Sequence, residues 1–589
     1  MGFLKDINYL SSFSYFLKMK NLSILFLVIS TFTFSQSFQT PFEKGNGNET
    51  VTFEEMRNYY QKLDKEFESI TFQTKGEDDN GAPIDVVIFN PTKQSFEEAR
   101  KGKSVLFVNN GIHPGEPDGI DATMMLMRDL ATGKIKAPKN VIIASIASYN
   151  ISGMMNRGSF SRANQNGPEE YGFRGNARNY DLNRDFIKTD SKNSRSFQQI
   201  FQWLKPDVFI DNHVSNGADY QYTFTYISTN KERLGNVLGN YFNGEMQKTL
   251  LKNMEKKGVI SVPYVNIHGD VPDGGFPAFI DSPRYATGYT TLFNSIGTVV
   301  ETHMLKPYKD RVKVTYDYMV DNINYIDENY KTIQQKRAEN LKQYKVGNQY
   351  AIAWKLDSTK YETIDFKGFE AKYKPSEVSG KTRLWYDRNS KFSKPVKFYN
   401  TYVPAKEITI PKYYVIPQSE WKIVDLLKLN QIKMIPIKQD SAFTVERYRI
   451  KDFKTVPNPY EGHYLHYDTF VTKDSGKMKF RAGDFLVPLN QDGVKFLLET
   501  LEPEAVDSYF NWNFFDAMLG QKEYYSPYVF EDTASKLLKD NKALKTAFEM
   551  EKSINSKFAQ DGEAQLDWVY KHSNYYEKTH RLYPVFRIN

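Results

Sequence analysis

Cysteine is absent from all 589 residues, which removes thiolate nucleophiles, thiolate metal ligands, disulfides and an N-terminal lipidated cysteine from the chemistry open to the chain. Any metal ion would have to be held by His, Asp or Glu. A long basic block is missing too: 78 Lys and Arg face 71 Asp and Glu, the net charge of +7 is spread along the chain, and nothing forms a nucleic-acid footprint. No internal repeat is visible. The apolar run from Leu22 to Phe34 is too short to span a bilayer. It follows Met19-Lys20-Asn21 and precedes Ser35-Gln36-Ser37, the order of a basic start, an apolar core and small or polar residues. Residues 1–36 are therefore expected to be a secretory signal peptide with its true start at Met19. An exported, cysteine-free chain points to a bacterial periplasm or exterior.

What is abundant is aromatic. The 40 Tyr and 42 Phe suit β-rich packing, with core filling as the simplest use. A chain of this length has a soft prior of about three or four domains, fewer if one is a large α/β enzyme. Apolar residues from Phe53 to Phe67 have helical spacing, and strands are expected from Ile84 to Phe89 and from Ser104 to Asn109. A helix from Pro117 to Leu130, the apolar strand from Val141 to Tyr149, an aromatic strand from Tyr220 to Ile227 and helices from Lys231 to Lys256 and Lys309 to Tyr344 continue the alternation. This pattern predicts an α/β fold over residues 37–345, a mixed and mostly parallel sheet flanked by helices. Residues 346–589 read as a strand-rich α+β accessory domain, with short β-branched and aromatic runs broken by proline and helices near the end.

Gly111-Ile112-His113-Pro114-Gly115-Glu116 places a histidine and a carboxylate on one turn just past the strand ending at Asn109. Both can face a single ion, but a tetrahedral site needs a third protein ligand and an open position. His213 is the candidate, because it too ends a short apolar strand, and open α/β sheets put their ligands at those ends. The polar, glycine-dotted segment from Asn150 to Arg195 is too long for a plain connection inside a domain. It carries Asn156, Arg157, Arg162, Arg174, Arg178 and the run Asp181-Leu182-Asn183-Arg184-Asp185-Phe186, and arginine with asparagine can clamp a carboxylate. Finally, the apolar strand from Asn294 to His303 carries Glu301 near its end, where a carboxylate is costly unless paired or working as a base.

His-x-x-Glu, then Asp-x-Asn-Arg, then a histidine after a strand, then a glutamate ending a later strand: in that order these residues resemble the zinc carboxypeptidase family, the carboxypeptidase A-like metallopeptidases, in a bacterial secreted branch. The likeness covers roughly residues 50 to 345. It implies one zinc ion held by His113, Glu116 and His213, with Glu301 as general base. Asn183 and Arg184 match the pair that grips a free C-terminal carboxylate, and Asp181 the carboxylate that orients the first zinc histidine. Two roles are less defined because the chain departs from the best-known members. Arg174, with Arg162 as second choice, is expected to polarise the scissile carbonyl, and Tyr285 or Tyr289 to close over the substrate. The implied partner is a peptide with a free C-terminus, and neither nucleic acid nor a membrane span is expected. Enzymes with similar motifs leave two alternatives, an amidase on peptidoglycan stem peptides and a deacylase of N-acyl amino acids. A noncatalytic peptide- or glycan-binding protein is a third, against which Glu301 argues. In the accessory half, His463 and His466 alternate without a third ligand nearby and read as strand residues.

Overall fold

Three buried apolar strands in the middle of one sheet carry the residues singled out above. The computed structural model describes residues 38–92 and 94–589, so the expected signal peptide lies outside the described residues. The sheet is built from β1 (Ile70–Glu77), β2 (Pro83–Phe89), β3 (Ser104–Asn109), β4 (Val141–Ile146), β5 (Val208–Ser215), β6 (Phe224–Ser228), β7 (Ser261–Pro263) and β9 (Ile296–His303), while β8 (Phe276–Pro277) belongs to another sheet. The order is β1-β2-β4-β3-β5-β9-β6-β7. Its centre, β4-β3-β5-β9, is parallel, and antiparallel pairings at β1/β2, β2/β4 and β9/β6 make the whole sheet mixed. Every residue of β3, β4 and β5 is buried, as parallel strands require when both faces are covered.

Four helices matter to the site: α1 (Phe53–Glu66), α2 (Asp118–Ala131), α3 (Lys192–Leu204) and α4 (Tyr308–Leu341). Thr52 and Glu55 form a reciprocal capping box that starts α1. The long α4 packs on α2 and against β3 and β4, and α3 packs on β1. The expected α/β architecture is therefore present, with changes in detail. The single helix predicted from Lys231 to Lys256 is broken at Gly235, whose φ of 106° no helix accommodates, and passes through a π-turn at Phe242–Met246. β1 and α3 had no counterpart in the pattern reading.

The chain divides into two compact units. The first holds the described residues up to Ile408 with Leu426–Ile432 and Asp492–Phe496. Besides the large sheet it contains the long hairpin of β11 (Glu362–Pro375) and β12 (Thr382–Tyr399), with β8 beside β12, and the pair β10 (Gln349–Leu356) and β13 (Tyr402–Thr409). The second holds Thr409–Asp425, Lys433–Gln491 and Leu497–Asn589. Strands run through this second unit in a six-stranded sheet that includes the hairpin Ser441–Thr455 and His466–Phe480, and helices including Pro527–Asp540 and Lys542–Ile554 follow. No helix among the described residues is long and apolar enough to cross a membrane.

Candidate metal centre and cleft

β3, β5 and β9 run side by side in parallel, so their carboxyl ends deliver three segments to one place. After β3 the chain turns at Gly111, where φ is 66° and a Cβ would come within 2.7 Å of Ser148 Oγ. Only glycine fits there. A second close approach follows at Gly119, in the first turn of α2, where a Cβ would meet Asn110 Oδ1 and Asn212 Cβ at 2.4 Å. This brings the His113–Glu116 turn, closed by Glu116 N–H donating to His113 O, down onto β5. Next to it, His213 and Glu301 are direct register partners across β5 and β9.

His113, Glu116 and His213 present one ligand atom each, all within 4.8 Å of one another. All three are almost fully buried, with 3%, 3% and 4% of their surface exposed. Both imidazoles turn Nδ1 toward the same carboxylate oxygen: His213 Nδ1 is 3.0 Å and His113 Nδ1 3.4 Å from Glu116 Oε2. Both also turn Nε2 to an aspartate, His113 to Asp181 Oδ1 and His213 to Asp211 Oδ2, at 2.9 Å each. A carboxylate on the far nitrogen fixes the tautomer and ring orientation and raises the basicity of the nitrogen left over. Residues of this kind fit a zinc ion: two imidazoles and a carboxylate supply nitrogen and oxygen donors, and the buried His113 Nδ1 has no hydrogen-bond partner. Burial opposes a charged His213, yet Asp211 and Glu116 hold its pKa well above the ordinary value. The cluster thus draws positive charge to this point.

Glu116 spends its other oxygen on Arg162, 2.7 Å from Nη1, and Oε2 also accepts from Val214 N–H at 3.0 Å. Burial works to raise the Glu116 pKa, but Arg162 and His113 bring it well below the carboxylate range. Asp181 accepts two hydrogen bonds from Arg174, from Nε at 3.0 Å and Nη2 at 2.8 Å, and one from Asn183 N–H. Against its burial, His113, Arg174 and Arg184 lower its pKa strongly. Glu301 behaves in the opposite way. Burial, with Glu116 and Asp211 adding to it against His213 and Arg162, pushes its pKa up to about 8.

A cleft of about 400 Å³ opens on this group, lined among others by His113, Glu116, Arg162, Arg174, Asn183, Arg184, His213, Tyr285 and Glu301. Ten of the eleven residues expected to form the site converge here, counting Asp181, which reaches it through His113 and Arg174. Tyr289 does not. Its ring is fully buried among Phe186, Phe197, Phe201, Phe293 and Phe496, and its hydroxyl donates to Asn430 at 2.7 Å, so it is a core residue. Arg157 and Arg178 also leave the site: the first donates to the carbonyls of Thr50 and Val51, the second to that of Asp190. Asp211 and the cleft-lining Tyr264 went unnoticed in the sequence. Asp211 had a signal, since it stands two residues before His213 and so shares its face of β5. In the second unit, His466 faces Thr455 and Asp516, and His463 packs on Trp512 and Phe514; the only ligand cluster found among the described residues is the one above.

The chain is similar in sequence to carboxypeptidases. It is 21% identical over 486 residues to Carboxypeptidase 2 of Trichophyton tonsurans, a match covering 77% of this chain and 82% of the relative, and equally so to Carboxypeptidase 2 of Trichophyton equinum. Among solved structures it aligns with a metallo-carboxypeptidase from Burkholderia cenocepacia, at 12% identity and a TM-score of 0.35, over 47% of this chain and 70% of that one. Carboxypeptidase A from Helicoverpa armigera aligns at 14% identity and a TM-score of 0.35, over 50% and 75% of the two chains. No family model matches the chain.

Proposed function

We propose that the chain is a secreted zinc-dependent metallocarboxypeptidase that removes C-terminal amino acids from peptides. The observation that carries this reading is the convergence of three metal-ligand atoms within 4.8 Å, in a cleft that also holds Glu301, Asn183 and Arg184. His113, Glu116 and His213 would hold the ion through Nδ1, a carboxylate oxygen and Nδ1. Zinc bound there supplies a water whose pKa falls toward about 7 and a positive charge that favours ionised Glu301.

The chain's own groups do the rest. Glu301 takes the proton of the attacking water and passes it to the leaving amine. Arg184, its guanidinium 4.6 Å above the Tyr285 ring and 22% exposed, receives the substrate's terminal carboxylate. Asn183 spends its side-chain oxygen on Ala286 N–H and keeps its amide donors for the same carboxylate. Of the two remaining arginines, Arg174 is 45% exposed and Arg162 only 15%. Arg174 is therefore assigned to the scissile carbonyl and Arg162 to holding Glu116. Tyr285 takes the covering role, since Tyr289 is in the core. Export rests on the basic start and apolar core between Met19 and Ser37, and N-terminal sequencing of the mature chain tests it.

Mass spectrometry of the zinc-loaded full chain with peptides, muropeptides and N-acyl amino acids tests the activity. Stepwise loss of single C-terminal residues from free-acid peptides supports the proposal. Cleavage confined to muropeptides or N-acyl amino acids would assign the site to an amidase or a deacylase, and cleavage of nothing in the panel would reject a catalytic role.

A further inference from the structure

Arg311 lies in the first turn of α4 with no exposed surface, a position where the helix dipole disfavours a cation. Its guanidinium is offset by acceptors from three directions. Nε donates to Asp118 Oδ2 at 3.0 Å and Nη2 to Asp118 Oδ1 at 3.3 Å. Nη1 and Nη2 donate to the carbonyls of Asn166 and Gly167, each at 2.9 Å, and Nη1 also reaches those of Met304 and Lys306.

Each acceptor belongs to a segment that carries a residue of the metal centre. Asp118 stands two residues after Glu116, and its Oδ2 also accepts from the Thr302 hydroxyl. Thr302 follows Glu301 directly, and its hydroxyl is also within 3.4 Å of the His213 carbonyl. Asn166 and Gly167 end the loop that carries Arg162 and Gln165, of which Arg162 grips Glu116 and Gln165 donates to Gly115 O at 2.8 Å. Met304 and Lys306 form the turn that leaves β9.

We infer that Arg311, through Asp118 and Thr302, is a positioning residue that sets where Glu116 and Glu301 stand relative to each other. A planar fork with donors in fixed directions can tie these segments at once; an ammonium cannot reach the same set. A buried ion pair is weak evidence for stability in itself, and here its partners are what give it a role. The catalytic half of this inference rests on the peptidase reading; the metal half does not.

The test therefore reads zinc affinity first, by chelator competition on the full-length chain, with the visible spectrum of the cobalt-loaded form as a second readout. Arg311→Lys is expected to raise the zinc Kd by about 10–100-fold, the range for partners that orient a metal ligand, and to change the cobalt spectrum. Asp118→Asn, nearly isosteric, is expected to weaken zinc in the same direction, which keeps the inference testable if Arg311→Lys does not fold. Thr302→Val is expected to spare zinc affinity and KM while lowering kcat by up to about 10²-fold, a split that lost stability alone does not produce. Arg587→Lys, which loosens a buried pair in the second unit, is the control for destabilisation and should leave zinc Kd untouched. Wild-type zinc affinity in folded Arg311→Lys or Asp118→Asn would overturn the inference. An inactive wild type with those shifts intact would instead overturn the peptidase reading alone.

Discussion

Arg587 and His213 are both buried among carboxylates, but one group is closed on itself and the other opens on a cleft. In the second unit, Arg587 lies 2.8 Å from Glu446 Oε1 and 3.5 Å from Glu502 Oε1, and donates to Tyr448 and to Thr409 O, while Tyr414 donates to Glu502. Cation and anions there lie within ion-pair reach of one another, although Glu446 Oε1 and Arg587 Nε make no hydrogen bond. In the first unit, two imidazoles and a carboxylate aim three ligand atoms at one point, each held from behind by Asp181, Asp211 or Arg162. Buried charge is thus no mark of function in itself. What separates the two is that the cluster around His213 aims three metal-ligand atoms at one point beside a cleft.

The sharpest way to break that contrast is to remove groups from the open cluster. Glu301→Gln is expected to lower kcat by about 10²–10⁴-fold while the chain still binds one zinc, read by steady-state kinetics and metal analysis. Arg184→Ala removes charge-assisted hydrogen bonds of about 1.5–3 kcal/mol, so kcat/KM should fall roughly 10–150-fold. A peptide with an amidated C-terminus should lose as much with the native enzyme, and little more with the variant. Asp211→Asn leaves the three ligands in place but loosens His213, and zinc Kd should rise about 10–100-fold in a chelator titration. In the closed cluster, Arg587→Met leaves Glu446 and Glu502 without their cation and should cost about 3–5 kcal/mol of stability by denaturant unfolding, with kcat per folded molecule unchanged. Tyr289→Phe should do least: it loses one hydrogen bond to Asn430, about 1 kcal/mol, and no activity.

The two units also differ in how legible they are in sequence. In the first, β3, β4 and β5 are uninterrupted apolar runs buried on both faces, and the residues at their carboxyl ends stand out because turns of special shape follow them. His113, Glu116 and His213 could be picked out that way, and Glu301 as a carboxylate in an apolar strand. Tyr285 and Tyr289 could not be told apart, because tyrosine serves a cleft and an aromatic core equally well and only packing decides. Arg162 and Arg174 pose the same problem, and the proposed division between them rests on exposure, 15% against 45%. In the long hairpins Glu362–Pro375 with Thr382–Tyr399 and Ser441–Thr455 with His466–Phe480, many residues are exposed and lysine-rich. Burial is confined to parts of each hairpin, such as Phe366, Val396 and Phe398 in the first and Val445, Tyr448 and Ile450 in the second, so only short pieces of these strands are visible in the pattern.

Zinc-edge X-ray absorption on the full-length chain loaded with one equivalent of zinc tests the account most directly. It should give a shell of nitrogen and oxygen donors at about 2.0–2.2 Å with the scattering signature of two imidazoles, lost when His113 or His213 is replaced by alanine. A chain that retains no zinc, or a spectrum indifferent to His213→Ala, would contradict it.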